Sequence, residues 1–372
     1  MREYLLNAGN GSFLYDPAVF MVEDKYCIVF LTSLKGIAWA EIGGAEYGAE
    51  TLGGLVRSDL DAHRIFVPAE ILNAAGAYTV CFAPVADRAP YFPKSGNIES
   101  LTRSFRAPGK NPTVKAYHLC DTHTHVTQPT KAAEFYGEDT DLIIMNGDIP
   151  NHSGSREMIM KVHELCQRVT HGELPIIFTR GNHDTRGAAA LDFVGCTPNL
   201  GGDFFYTTRY GSIWALLLDC GEDKSDGHKE YGGMVSFEGY RRRQIDFLRR
   251  INAQADREYL APGVKHRVAV CHIPLFSDWN LFASDIYSQW LEELNKMGLE
   301  IMLCGHNHTT QFFPDGADCG FGRMDFPVVI GGTLTDGGYT GTALEFTDSG
   351  IDFAFTDSEK RVLEKYSVKL KG

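Results

Sequence analysis

Short apolar runs along the 372-residue chain repeatedly stop at a polar cluster. The run 115–120 ends at Asp121-Thr122-His123, 142–145 at Gly147-Asp148, and 176–179 at Gly181-Asn182-His183-Asp184. The run 267–271 ends at His272, and 301–304 at Gly305-His306-Asn307-His308. Such runs read as buried central strands of a layered α/β domain, with each cluster on the loop at the carboxyl end. Ligand sites in open α/β sheets gather at those ends, so the five loops are expected to converge.

Between the clusters the period changes to that of helices. Residues 155–170 carry Met158, Val162, Leu165 and Val169 at helical spacing, and 236–252 repeat the pattern with Ser236 as cap. Residues 284–297 form another helix, closed by Gly298. Shorter helices are expected at 131–136 and 186–193, and strands at 204–208 and 212–218. The piece 221–234, with His228, is polar, Gly-rich and long for a plain connection, which marks a functional or disordered loop. After the fifth cluster, strands at 311–313, 328–331, 343–346, 351–355 and 362–368 are expected to complete the second sheet.

The first 107 residues have a different rhythm. Short strands at 19–22, 27–32, 36–42, 64–68 and 78–83 alternate with Gly43-Gly44, Gly53-Gly54 and Ala75-Gly76. That pattern suggests a β-sandwich of immunoglobulin or fibronectin-III type. Pro90, Pro93 and Pro108 then mark a linker. The expected organisation is a sandwich domain over 1–107 and an α/β catalytic domain over 108–372.

Composition narrows the function. A hydrophobic content of 44% and a charged content of 22% fit an ordinary globular protein with a large core. The net charge of −13 argues against a nucleic-acid partner, since backbone affinity comes from Lys and Arg neutralising phosphates. Nine cysteines without CxxC spacing point to a reducing compartment. The start, Met1 to Asn7, lacks the apolar core of a secretory signal, and no run is long enough for a membrane helix. A cytoplasmic protein without membrane partners is expected.

Singly, each cluster has an ordinary explanation. Gly147-Asp148 would serve as a turn, Asp184 as a helix cap and His272 as a hydrogen-bonded structural histidine. Jointly they supply Asp121, His123, Asp148, Asn182, His272, His306 and His308. These oxygen and imidazole donors suit Zn, Mn or Fe. They are too many for one tetrahedral centre and fit two ions sharing a carboxylate, with a bridging water acidified to hydroxide.

The order Asp-x-His, Gly-Asp, Gly-Asn-His-Asp, His, Gly-His-x-His resembles the signature of the calcineurin-like metallophosphoesterases. The resemblance covers about residues 115–310. It implies a four-layer α/β/β/α domain in which Asp121, His123 and His308 hold one metal. Asn182, His272 and His306 would hold the second, with Asp148 bridging. His183 matches a catalytic position near the leaving oxygen, and Asp184 the acidic position that orients it. The implied activity is hydrolysis of a phosphate mono- or diester on a small phosphorylated substrate, with His183 as general acid. A non-catalytic scaffold on the same fold is the rival. Arg180, Asn151 and His152 are candidate substrate contacts around the mouth. A β-sandwich before such a domain is similar to the architecture of purple acid phosphatases. That family places a tyrosine ligand three residues after the bridging Asp. Here the position is Asn151, so no iron–tyrosinate chromophore is expected.

Overall fold

A computed structural model describes residues 11–48, 51–109 and 113–371. The amino-terminal stretch read for targeting lies outside them.

Two sheets face each other. In the first, Val114–Leu119, Leu142–Asn146 and Pro175–Thr179 run parallel, with Ala116 opposite Leu142 and Ile143 opposite Ile176. The second orders Tyr206–Tyr210, Ile213–Leu218, His266–Cys271, Ile301–Cys304, Val328–Ile330 and Gln311–Phe313. The strand Ile213–Leu218, apolar at every position, shows how the layers form. Ile213, Ala215 and Leu217 enter the core shared with the first sheet. Trp214, Leu216 and Leu218 face the other way, onto Phe237–Ala253 and Ser284–Asn295. Period-2 alternation within a continuous apolar run thus serves two interfaces. On the far side of the first sheet, Ile159, Val162, Leu165 and Cys166 of the helix Arg156–Thr170 join its core. The result is the expected helix–sheet–sheet–helix arrangement, and each fully buried aliphatic or aromatic side chain contributes about 1.5–3 kcal/mol.

An amino-terminal sheet region precedes this domain in sequence and continues its first sheet. Ala18–Val22 lies parallel beside Pro175–Thr179, with Val19 opposite Pro175. All five of its residues are buried, as a strand covered on both faces requires. The 18-residue strand Lys25–Ile42 pairs through its first half with Ala18–Val22 and Leu60–Pro68. Its second half pairs with Ala77–Asp87 and Ala45–Gly48. The register shift between Leu31 and Gly36 marks the change of partners.

Three local expectations are corrected. The closing strands divide between the sheets: Gln311–Phe313 and Val328–Ile330 complete the second, whereas Gly338–Thr347, Gly350–Asp357 and Val362–Lys369 return to the Val114–Leu119 edge of the first. Strand period alone carries no information about which sheet edge a strand joins. Residues 186–192 are not helical. Ser153 N–H donates to Arg186 O and Ala189 N–H to Ser153 O, and only Phe193–Cys196 forms a helical turn. Ser236 holds the N-cap position of Phe237–Ala253, but its side chain makes no cap bond; the Asp226 carboxylate accepts from Phe237 N–H and Glu238 N–H instead, both at 3.0 Å.

Candidate metal centre

The first sheet delivers Asp121 and His123, Asp148, and Asn182 with His183, each just beyond a strand end. The second delivers His272, His306 and His308 in the same way. Main-chain bonds join these loops. Asp121 N–H donates to Gly147 O at 3.1 Å, His123 N–H to Asp148 O at 3.0 Å and Gly305 N–H to His272 O at 2.8 Å. Between the sheets, His306 N–H donates to Asp121 Oδ2 at 2.9 Å. The approach is too close for side chains at the motif glycines. A Cβ on Gly147 would lie 2.4 Å from Gly181 N, and one on Gly181 would lie 2.2 Å from Asp148 Oδ1.

Five site residues adopt the left-handed backbone region: Asp121 (φ 52°), His123 (42°), Asp148 (52°), His306 (72°) and His308 (52°). Such non-glycine conformations cost of order 1–3 kcal/mol each and persist where the surroundings over-determine them, typically at functional sites.

Ligand-type atoms of Asp121, His123, Asp148 and His308 all lie within 4.8 Å of one another. His123 Nε2 is 3.0 Å from His308 Nε2, and His308 Nε2 is 3.4 Å from Asp121 Oδ1. Alongside, His272 Nε2 sits 3.2 Å from Asp148 Oδ2 and 3.7 Å from Asp121 Oδ1, while His306 Nδ1 is 3.0 Å from Asn182 Oδ1. The fit to cations is testable on buried polar atoms. Asp121 Oδ1, Asp148 Oδ2 and His272 Nε2 are all buried without a hydrogen-bond partner, which is costly unless a cation satisfies them. Electrostatics agree. Burial would lower the His272 imidazole, but the Asp148 and Asp121 carboxylates outweigh it and lift it to about 10. The pocket therefore attracts positive charge at Nε2. His306 goes the other way, pushed down to about 4 by burial and by His272.

The remaining candidates fall into place around this cluster. His183 Nδ1 is 2.7 Å from the Asn151 carbonyl oxygen, which accepts its proton and leaves Nε2 3.9 Å from Asp148 Oδ2. The orienting contact expected from Asp184 thus comes from the main chain. Asp184 Oδ2 instead accepts from Gly181 N–H at 2.6 Å and Asp148 N–H at 3.1 Å. Burial and the neighbouring Asp148 charge raise its carboxyl well above the usual range. Arg180 is not presented to the mouth. Its Nε is held by Asp219 at 2.6 Å and its guanidinium lies 4.4 Å from the Phe204 ring centre. Asn151 and His152 are exposed, with His152 Nδ1 accepting from Gly154 N–H at 3.0 Å. His228 caps a short helical turn through Glu230 N–H.

The family model for calcineurin-like phosphoesterases matches residues 114–310, just over half of the chain. The chain belongs to the calcineurin-like phosphoesterase family. Among solved structures, a purple acid phosphatase from yellow lupin (Lupinus luteus) seeds aligns with a TM-score of 0.60 at 13% identity, covering 95% of this chain and 74% of that one. PhoD aligns with a TM-score of 0.55 at 12% identity, covering 97% and 90%. At these identities the likeness is one of fold. No curated protein matches the chain.

Two contacts at this site escape side-chain motifs. The Asn146 carbonyl accepts from His272 Nδ1 at 2.6 Å, fixing the tautomer that presents Nε2. Asp223, from the long 221–234 segment, brings Oδ2 to 4.0 Å from His306 Nε2. The position of Asn146 directly before Gly147-Asp148 was the only available signal for the first. For Asp223 the signal was the length of its loop.

Proposed function

We propose that the protein hydrolyses a phosphate mono- or diester at a dinuclear centre of Zn, Mn or Fe ions. The observation that carries this reading is the set of orphaned, mutually facing ligand atoms on Asp121, Asp148 and His272. Asp121, His123 and His308 would hold one ion, Asn182, His272 and His306 the other, and Asp148 both. Bound there, such a pair supplies an activated water at neutral pH and neutralises phosphate oxygens. The chain's own residues do the rest. His183, with Nδ1–H committed to Asn151 O, carries a proton on Nε2 to the departing oxygen. Asp184 holds the Gly181 and Asp148 amides, keeping the Asp148 carboxylate in place. The exposed Asn151 and His152 side chains are available to touch a small phosphorylated substrate.

Family membership supports hydrolase chemistry, and the full donor set speaks against the scaffold rival. The net charge of −13 disfavours nucleic acid. All nine cysteines are buried and none stands in a disulfide, which supports a reducing, cytoplasmic setting. Among the described residues no helix is long and apolar enough to cross a membrane.

Metal analysis with a panel of aryl phosphate mono- and diesters in Mn²⁺ tests the reading. Near two equivalents of metal and a turnover abolished by Asp148→Asn are expected. No metal after careful loading, or an Asp148→Asn variant as active as the parent, sinks it.

A further inference from the structure

The 221–234 segment, too long for a plain connection, is fastened over the metal cluster. Glu222 is buried and takes both Arg186 Nε at 2.7 Å and Nη2 at 2.6 Å, a bidentate pair directly after the His183 cluster. The buried Arg241 holds the Cys220 and Glu222 carbonyls at 2.8 and 2.6 Å. Between these two clamps stands Asp223. Its Oδ1 accepts from Lys224 Nζ at 2.9 Å, Tyr231 OH at 3.0 Å and Arg186 Nη2 at 3.1 Å. Its Oδ2 faces His306.

The orientation of His306 gives this contact meaning. Its Nδ1 lies 3.0 Å from Asn182 Oδ1, so these two ligand-type atoms share a target. A neutral imidazole carries one proton, and ligation through Nδ1 therefore requires that proton on Nε2. Nε2 is the atom 4.0 Å from Asp223 Oδ2, about 1 Å beyond a full hydrogen bond. Three donors anchor one oxygen of Asp223 while the other looks onto the ring. A carboxylate behind a ligating histidine fixes its tautomer and raises its basicity.

We propose that Asp223 is a positioning residue for the second ion of the centre, accepting the Nε2 proton of His306 and aiming Nδ1, with Asn182, at the metal. The proposal rests on the dinuclear reading above. It ties the 221–234 segment to the metal site at Asp223 alone.

The test titrates Co²⁺ into the full chain, following heat and the visible spectrum, for the parent, Asp223→Asn, Asp223→Glu and Glu230→Gln. The parent takes up two equivalents. Asp223→Asn keeps the first and weakens the second by about 10–100-fold, with a shifted band for that equivalent. Asp223→Glu recovers most of the affinity. Glu230→Gln, on a residue that reaches the same Arg186 and Lys224, leaves both equivalents unchanged. Two equivalents in the parent and identical affinities and spectra in Asp223→Asn overturn the assignment while sparing the dinuclear reading. A parent that binds fewer than two overturns both. A measurement on the unmutated protein guards against a variant that fails to fold. Nitrogen-15 spectra of the Zn²⁺-loaded chain show His306 protonated at Nε2 if the assignment holds, and at Nδ1 if it is wrong.

Discussion

The two sides of the candidate metal site are held by different interactions. On the first-sheet side, the loops after Leu119, Asn146 and Thr179 are short and held by main-chain amides, such as Gly181 N–H and Asp148 N–H on Asp184. On the second-sheet side, the 221–234 segment is held by side-chain ions: Arg186 with Glu222, Asp223 and Glu230, and Lys224 with Asp223 and Glu230. The first arrangement is fixed by the fold itself. The second depends on charges, several of them partly exposed, and is open to salt and to single substitutions. Asp121, His123, Asp148 and Asn182 thus rest on the side held by main-chain amides, while the surroundings of His306 include the adjustable segment.

The largest effect should come from the rigid side. His183→Ala should lower kcat by about 10²–10⁴-fold on esters with poor leaving groups while leaving metal content intact. The loss should shrink for good leaving groups, and equal losses for both would remove the proton-donor role. On the adjustable side, Arg186→Ala leaves Glu222 buried without its bidentate partner, which costs about 3 kcal/mol. Chemical denaturation should register this, and a change within error would show the clamp to be ornamental.

A smaller, pH-dependent effect comes from histidines away from the centre. Burial pushes His63 and His163 from the ordinary 6.5 down to about 4, against the opposing pull of Asp61 on the first and the Cys196 carbonyl on the second. Above pH 6.5 both are neutral, folded or unfolded, and their contribution is intact. Between about 6.5 and 4 the unfolded chain takes up protons that the folded chain refuses, so stability falls; below about 4 the loss levels off. Urea melts at stepped pH should flatten in His163→Gln relative to the parent, and an unchanged slope would exclude His163 as a source. The smallest change is Asp226→Ala, which removes two amide contacts at the start of Phe237–Ala253. It should cost about 1 kcal/mol, read as a lowered unfolding midpoint.

The central strands were legible because most of their positions form short apolar runs, as in Ile213–Leu218, and such a run signals a strand buried on both faces. The clusters were legible because several ligand types at strand ends have few joint explanations. Contacts made by main-chain carbonyls were not. Asn151 O on His183 and Asn146 O on His272 involve atoms every residue possesses, so residue identity cannot announce them. Asp226 takes over the capping bonds from the Ser236 side chain for a related reason, since a long loop brought a stronger acceptor to the first helix amides. Likewise, 186–192 gave up helical bonds for contacts with Ser153, a partner that local propensity ignores.

By itself the sequence determined the central strands, the main helices and which loops carry candidate donors, because these follow from local periodicity and side-chain chemistry. Tertiary structure alone decided that Ala18–Val22 extends the first sheet, that the last three strands return to its other edge, and that Asp223 meets His306. Those outcomes depend on which surfaces remain to be covered once the sheets pack, and no window of neighbouring residues contains that information.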